Sequence, residues 1–153
     1  LYYSYNFPKV FKKKSSAKYR VYFGIGGNVG DTFSIFDKLL KRIKYDTKMS
    51  ILQTSPLLKN PPFGYLEQDY FINGILVVET QLSPTYLLKI VHKYEKYFKR
   101  VRSFQDAPRT LDIDIIMIEK FGRNIKLHTK NLTIPHIGMN QRESVQIPLS
   151  LLK

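Results

Sequence analysis

Two aspartates, Asp112 and Asp114, stand two residues apart inside the apolar run "TLDIDIIMIE", with Arg109 just ahead of them in "PRTLDIDI". If this run is a strand, residues two apart share a face, and the two carboxylates become neighbours with Cα atoms roughly 6.5 Å apart. Like charges so close, partly removed from water, cost about several kcal/mol unless something positive compensates them. Arg109, a basic residue elsewhere in the chain, or bound cations would serve. A solvated, salt-bridged pair at a strand edge is the plain alternative. Carboxylate oxygens suit Mg²⁺, and two on one face can hold two ions about 3.5 to 4 Å apart, an arrangement that generally serves phosphate oxygens. Lys99, Arg100, Arg102 and Arg109 lead directly into the acidic pair, so a polyanion would meet cations on both sides.

The elements that must hold these residues follow from periodicity. "RVYFGIG" (20–26) reads as a strand running into a glycine turn. Asp31 and Thr32 cap a helix that carries Phe36, Leu39, Leu40 and Ile43 at helical spacing. "SILQTSPLL" is a second strand and "DYFINGILVVET" a third, apolar on both faces and therefore central. Ser83 and Pro84 start a second helix, as a hydroxyl cap followed by proline. In the fourth strand, Leu111, Ile113, Ile115 and Met117 are expected on one face, and Asp112, Asp114, Ile116 and Ile118 on the other. "LTIPHIGMNQRESVQIPLSLL" mixes loops with short elements that the pattern does not assign. The order strand, helix, strand, strand, helix, strand is the α+β, ferredoxin-like βαββαβ sandwich. It predicts a mainly antiparallel sheet with helices on one face and the other face free for a site. RNA-binding modules share this architecture, so function has to come from particular residues.

With 153 residues, 43% hydrophobic and 14% aromatic, the chain has enough apolar surface for one folded domain. It has no cysteine, which excludes disulfides and thiolate chemistry and suits the reducing cytoplasm. No apolar stretch approaches the length of a membrane span, and the first residues lack the apolar core of a secretory signal. The net charge of +13 points to an anionic partner. Six basic residues and no acid fall within the first 20 positions, so residues 1–19 are expected as a basic N-terminal extension, a solvated tail in preference to an arm that binds nucleic acid or a partner, before a domain spanning 20–153.

Several separated motifs, in order, carry a family resemblance. They are "GIGGNVGD", "TSP" with "NPPFG", "DYFINGILVVET", the "KRVR" end of the second helix, "PRTLDIDI", and "LTIPH" with "QR" and "PL". Together they resemble the 6-hydroxymethyl-7,8-dihydropterin pyrophosphokinases of folate biosynthesis, which move diphosphate from ATP to the pterin hydroxymethyl group. The resemblance implies two Mg²⁺ ions on Asp112 and Asp114. It implies phosphate contacts from Arg102 and Arg109, with Arg100 assisting. An ATP site would take in Glu95, Ile115, Thr133, His136 and Arg142. A pterin site would involve Gly26, Asn60, Pro62, Phe63, Phe71, Asn73 and Asp112. An aromatic ring at Phe71 suits a flat bicycle, and the amide of Asn73 offers both a donor and an acceptor to its edge. A neighbouring folate-pathway enzyme is an implied partner.

The chain departs from the family pattern at several positions. Lys99 and Ala107 stand where glycines are usual, and Ser144 stands where an aromatic stacks on the second face of the pterin. His92 replaces an amide and Asn131 a basic residue. "GIGGNVG" superficially matches a dinucleotide fingerprint, but Val29 occupies the third glycine position and no acidic residue closes a parallel strand about 20 positions on. A nucleic-acid-binding module is the alternative function. The acidic pair on an open face speaks against it, since it would repel phosphates unless metal intervened.

Overall fold

The computed structural model describes residues 1–11, 17–99 and 104–153. Arg100 and Arg102, both expected at phosphate, lie outside the described residues, as do Lys12, Lys13 and Lys14. In chain order the elements are β1 (Lys9–Val10), β2 (Tyr19–Gly27), α1 (Thr32–Asp46), β3 (Met49–Thr54), β4 (Leu58–Asn60) and β5 (Phe71–Thr80). There follow α2 (Pro84–Tyr97), β6 (Asp112–Lys120), β7 (Arg123–Asn124), β8 (Leu127–His128), β9 (Thr133–Ile134) and α3 (Glu143–Ser150). The main sheet runs β1-β3-β5-β2-β6-β7, with β4 beside β5, and every pairing is antiparallel. Its four long strands, β3-β5-β2-β6, have the expected ferredoxin-like order.

Local signals decide where the helices start. Asp31 caps α1 by accepting from the Ser34 N–H (3.1 Å), and Ser83 caps α2 ahead of Pro84. On the helix face of the sheet, Val21, Phe23, Ile25, Leu76 and Val78 pack against Phe36, Leu39, Leu40 and Ile43 of α1 and Leu87, Ile90 and Val91 of α2. Burial of these side chains contributes about 1.5 to 3 kcal/mol each relative to exposure, and it fixes which face of the sheet remains for a site.

Three features differ from the sequence-based expectation. First, the second face of the sheet is not left open throughout. Val145 of α3, with Met139, Leu149 and Leu152, covers Leu52, Ile75, Val77 and Ile116. The apolar residues of α3 lack a strong helical stripe and Pro148 sits inside it, so periodicity did not reveal it. Second, Ile118 does not share a face with the aspartates. The β2–β6 register slips between Tyr22↔Met117 and Phe23↔Ile115, which leaves Ile116 as an extra residue. This bulge resets the alternation, so Ile118 joins Ile113 and Ile115 in the helix-side core while Ile116 enters the opposite cluster.

Third, residues 1–11 are not a solvated tail. Phe7 is 1% exposed within the main core, and Lys9 and Val10 pair with Thr54 and Gln53. Tyr2, Tyr3 and Tyr5 sit outward while the buried Phe7 anchors the segment, a pattern with no period to detect. Among the described residues no helix is long and apolar enough to cross a membrane.

Candidate active site

The site starts from glycines. On β2, Gly24 pairs with Asp114 and Gly26 with Asp112, while on the other side Gly26 pairs with Asn73 of β5. Without side chains at 24 and 26, the sheet carries a notch between the carboxylates and Asn73. A Cβ at Gly26 would lie 2.4 Å from Asn73 Nδ2, so the glycine is the space the amide occupies. Asn73 in turn opposes Leu58 of β4, and Phe71 opposes Asn60.

Gly24, Gly26, Asn60, Phe71, Asn73, Asp112 and Asp114 line a narrow cavity of about 70 Å³, together with Phe63, Arg109, Arg142, Ser144 and Val145. Among the described residues, three side-chain atoms of its wall residues are buried with no hydrogen-bond partner: Asn60 Oδ1, Asn73 Oδ1 and Arg109 Nε. Buried polar groups are nearly always paired, and leaving one unpaired costs about 1 to 3 kcal/mol, so three at one cavity mark a place built for a polar ligand. Arg109 lays its guanidinium over the Phe71 ring at 4.8 Å, and Arg142 lies over Phe63 at 4.4 Å.

A second cavity, about 480 Å³, adjoins the first. Glu95 and His92 of α2, Ile113 and Ile115 of β6, Thr133 of β9, Asn131 and His136 form its wall. Asp112, Asp114, Arg109, Arg142 and Phe63 line both cavities, so the acidic pair stands at their junction. The β8–β9 hairpin raises the far side, with Thr133 Oγ1 3.2 Å from His128 Nδ1. Glu95 is buried and accepts the Ile113 N–H through Oε2 (2.9 Å), joining α2 to the beginning of β6.

His136 donates its backbone N–H to the Ile116 carbonyl (2.7 Å), which extends the edge of β6 at the bulge. Burial, followed by the positive field of Arg142, holds its pKa below the usual histidine value, against an opposing pull from Asp112. Nδ1 accepts the Gly138 N–H (3.0 Å), so a neutral ring carries its proton on Nε2, 3.8 Å from Asp114 Oδ1.

A network not apparent in the sequence holds Arg109 in place. Asn28 donates its backbone N–H to the Arg109 carbonyl (3.0 Å) and accepts the Arg109 N–H through Oδ1 (3.0 Å). Its Nδ2 donates to Gln68 Oε1 and to the Asp69 carbonyl, both at 2.9 Å. Gln68 Nε2 then donates to the carbonyls of Tyr65 (2.7 Å) and Asp106 (2.8 Å). Two amide side chains thus tie together the turn after β2, the 61–70 loop and the loop before β6. An asparagine next to a glycine pair signals a turn, but partners 40 and 81 residues away cannot be read from it.

Of the expected site residues, Gly26, Asn60, Phe63, Phe71, Asn73, Arg109, Asp112, Asp114 and Arg142 meet at the narrow cavity. Glu95, Ile115, Thr133 and His136 meet at the larger one. Pro62 is buried and lines neither, and Pro61 takes the place in the wall. Among the described residues no group of three or more histidines, aspartates or glutamates could hold a metal. Two carboxylates alone fit a magnesium ion that keeps waters and takes its remaining ligands from a phosphate.

The model of the 7,8-dihydro-6-hydroxymethylpterin-pyrophosphokinase family matches residues 22–153. The chain belongs to this family. Among relatives, the 2-amino-4-hydroxy-6-hydroxymethyldihydropteridine pyrophosphokinase of Campylobacter jejuni is 38% identical over 146 residues, covering 95% of this chain and 90% of the relative. The Helicobacter pylori protein of the same name is 37% identical over 147 residues, 95% of this chain and 88% of its own length. The "Folic acid synthesis protein fol1" of Schizosaccharomyces pombe is 32% identical across 97% of this chain but only 20% of its own length. Both cavities of this pyrophosphokinase-family chain draw their walls from the matched segment.

Proposed function

We propose that this site transfers diphosphate from ATP to the hydroxymethyl group of 6-hydroxymethyl-7,8-dihydropterin, in folate biosynthesis. The pterin alcohol oxygen forms a bond to the β-phosphorus, the bond from that phosphorus to the oxygen it shares with the α-phosphorus breaks, and AMP departs with that oxygen while the alcohol proton passes to water. The observation that carries this reading is the pairing of a narrow, amide-lined cavity with a larger one across Asp112 and Asp114.

The residues divide the work. Asn60 and Asn73 line the narrow cavity and each hold a buried carbonyl oxygen with no partner, for which the amino and ring N–H groups of a pterin would supply donors. Phe71 offers a ring face beneath Arg109. Stacking there requires the guanidinium to swing aside, toward the phosphates, and its unpaired Nε leaves it one bond fewer to break. His136 and Arg142 face the triphosphate from the larger cavity, with Glu95, Ile115 and Thr133 enclosing the nucleoside. Asp112 and Asp114 would hold two Mg²⁺ ions, which neutralise phosphate charge when bound. Arg100 and Arg102 join the clamp in this account. The setting implied is the cytoplasm, with a neighbouring enzyme of the same pathway as the natural partner.

Calorimetric titration with the pterin tests the carrying observation. Asn60→Ala and Asn73→Ala are each expected to weaken binding about tenfold, the worth of roughly one buried hydrogen bond. Undiminished affinity in both variants contradicts the assignment of the narrow cavity.

A further inference from the structure

The family match begins at residue 22, yet the segment ahead of it is bound into the fold. Residues 2–11 run alongside β3 and the link that carries it into β4. Tyr2 and Leu57 exchange both backbone hydrogen bonds, at 2.7 and 3.0 Å, and the Phe11 N–H donates to the Leu52 carbonyl at 2.8 Å. Between these points the Thr54 hydroxyl accepts the Lys9 N–H (3.0 Å) and donates to the Asn6 carbonyl. Side chains also fasten the segment to α1: Tyr2 meets Phe33 edge-on with ring centroids 5.9 Å apart, Phe7 packs on Phe36 at 5.8 Å, Asn6 Nδ2 donates to Asp37 Oδ1 at 3.0 Å, and Lys44 lies over the Phe11 ring at 4.7 Å.

What these contacts fix is the entry to β4. Leu57 is fully buried, and its Cδ2 sits where a Cβ on Gly74 would come within 2.6 Å, so residue 57 is keyed into β5. The next three residues pair in register, Leu58 with Asn73, Lys59 with Ile72 and Asn60 with Phe71. Tyr2 therefore grips the residue from which β4 departs, three positions before Asn60. Asn60 and Asn73, which both line the narrow cavity and each hold a buried carbonyl oxygen with no partner, sit on the two strands so joined. A chain that ended its contacts at β3 would leave both backbone groups of Leu57 and the buried Thr54 hydroxyl to find other partners.

We propose that residues 2–11 are a positioning strap for the pterin side of the site: they hold β4 in register so that Asn60 faces the flat substrate. This rests on the assignment of the narrow cavity to the pterin. The larger cavity takes its wall mostly from α2, β6, β9 and the loops beside them, sharing Phe63 with the chain beyond β4, and none of the strap contacts described above reaches α2, β6 or β9. The strap thus acts on one substrate and not on the other.

Steady-state kinetics with each substrate varied in turn tests this on Phe7→Ala, which removes the anchor, and Thr54→Val, which removes the hydroxyl bridge. Phe7→Leu serves as the conservative control. Both loosening variants are expected to raise the pterin KM about three- to tenfold while the ATP KM and kcat stay within about twofold, because only orientation of one substrate is lost. Phe7→Leu is expected to restore the pterin KM. If Phe7→Ala does not fold, Thr54→Val carries the comparison. Unchanged pterin KM, or equal rises for both substrates, overturns the strap and leaves the pterin assignment standing. Turnover by the wild-type protein that ignores the pterin overturns both.

Discussion

At the scale of single residues, the acidic pair and the amide pair are shaped by what is missing between them. Gly24 and Gly26 are cross-strand neighbours of Asp114 and Asp112, and their bare backbone is the floor of the notch. The two aspartates were legible from a period of two and a charge argument, because both depend only on local spacing. Asn28 and Gln68 were not, since their meaning lies in partners far along the chain. Gly26→Ala tests the notch. The added methyl meets the far end of a movable side chain, Asn73 Nδ2, rather than backbone. The fold should therefore persist, with a stability loss of about 1 kcal/mol or less, while pterin affinity falls about tenfold or more as the amide is displaced. Thermal unfolding and pterin titration on the same sample read the two effects separately.

At the scale of elements, the helices and four long strands could be read in advance because caps, proline and apolar periodicity all agreed. The bulge at Ile116 could not, because alternation on either side of it looks regular until the partner strand supplies the register. Helix α3 was hidden for the opposite reason, a mostly apolar stretch with no clear face. The end of α2 carries its own test. Lys99 follows the cap residue Phe98 and has φ +64°, a left-handed conformation that side chains adopt at a cost. Lys99→Gly is expected to stabilise the protein by about 0.5 to 1 kcal/mol, measured as a higher urea midpoint at unchanged slope. Asp106, at φ +59°, is also left-handed, which a short polar side chain tolerates better, in the loop that Gln68 ties down.

At the scale of the whole molecule, the +13 charge points to an anionic ligand, and two arginines, Arg109 and Arg142, stand beside the acidic pair at the junction of the cavities. The charge did not reveal where the first residues go. A basic composition reads as a tail, whereas one buried phenylalanine and a run of edge hydrogen bonds make it part of the sheet. The molecule is thus a sheet whose two halves of the site meet at Asp112 and Asp114, one half shaped by β4 and β5, the other by α2 and β9. Bringing two substrates together there is the central claim. The direct measurement is AMP release from ATP and Mg²⁺, with and without 6-hydroxymethyl-7,8-dihydropterin, in the wild-type protein and in Asp112→Asn and Asp114→Asn. The account predicts AMP only when the pterin is present, and a loss of about a thousandfold or more in each variant with the fold retained. AMP release independent of the pterin, or near wild-type turnover in both variants, would contradict it.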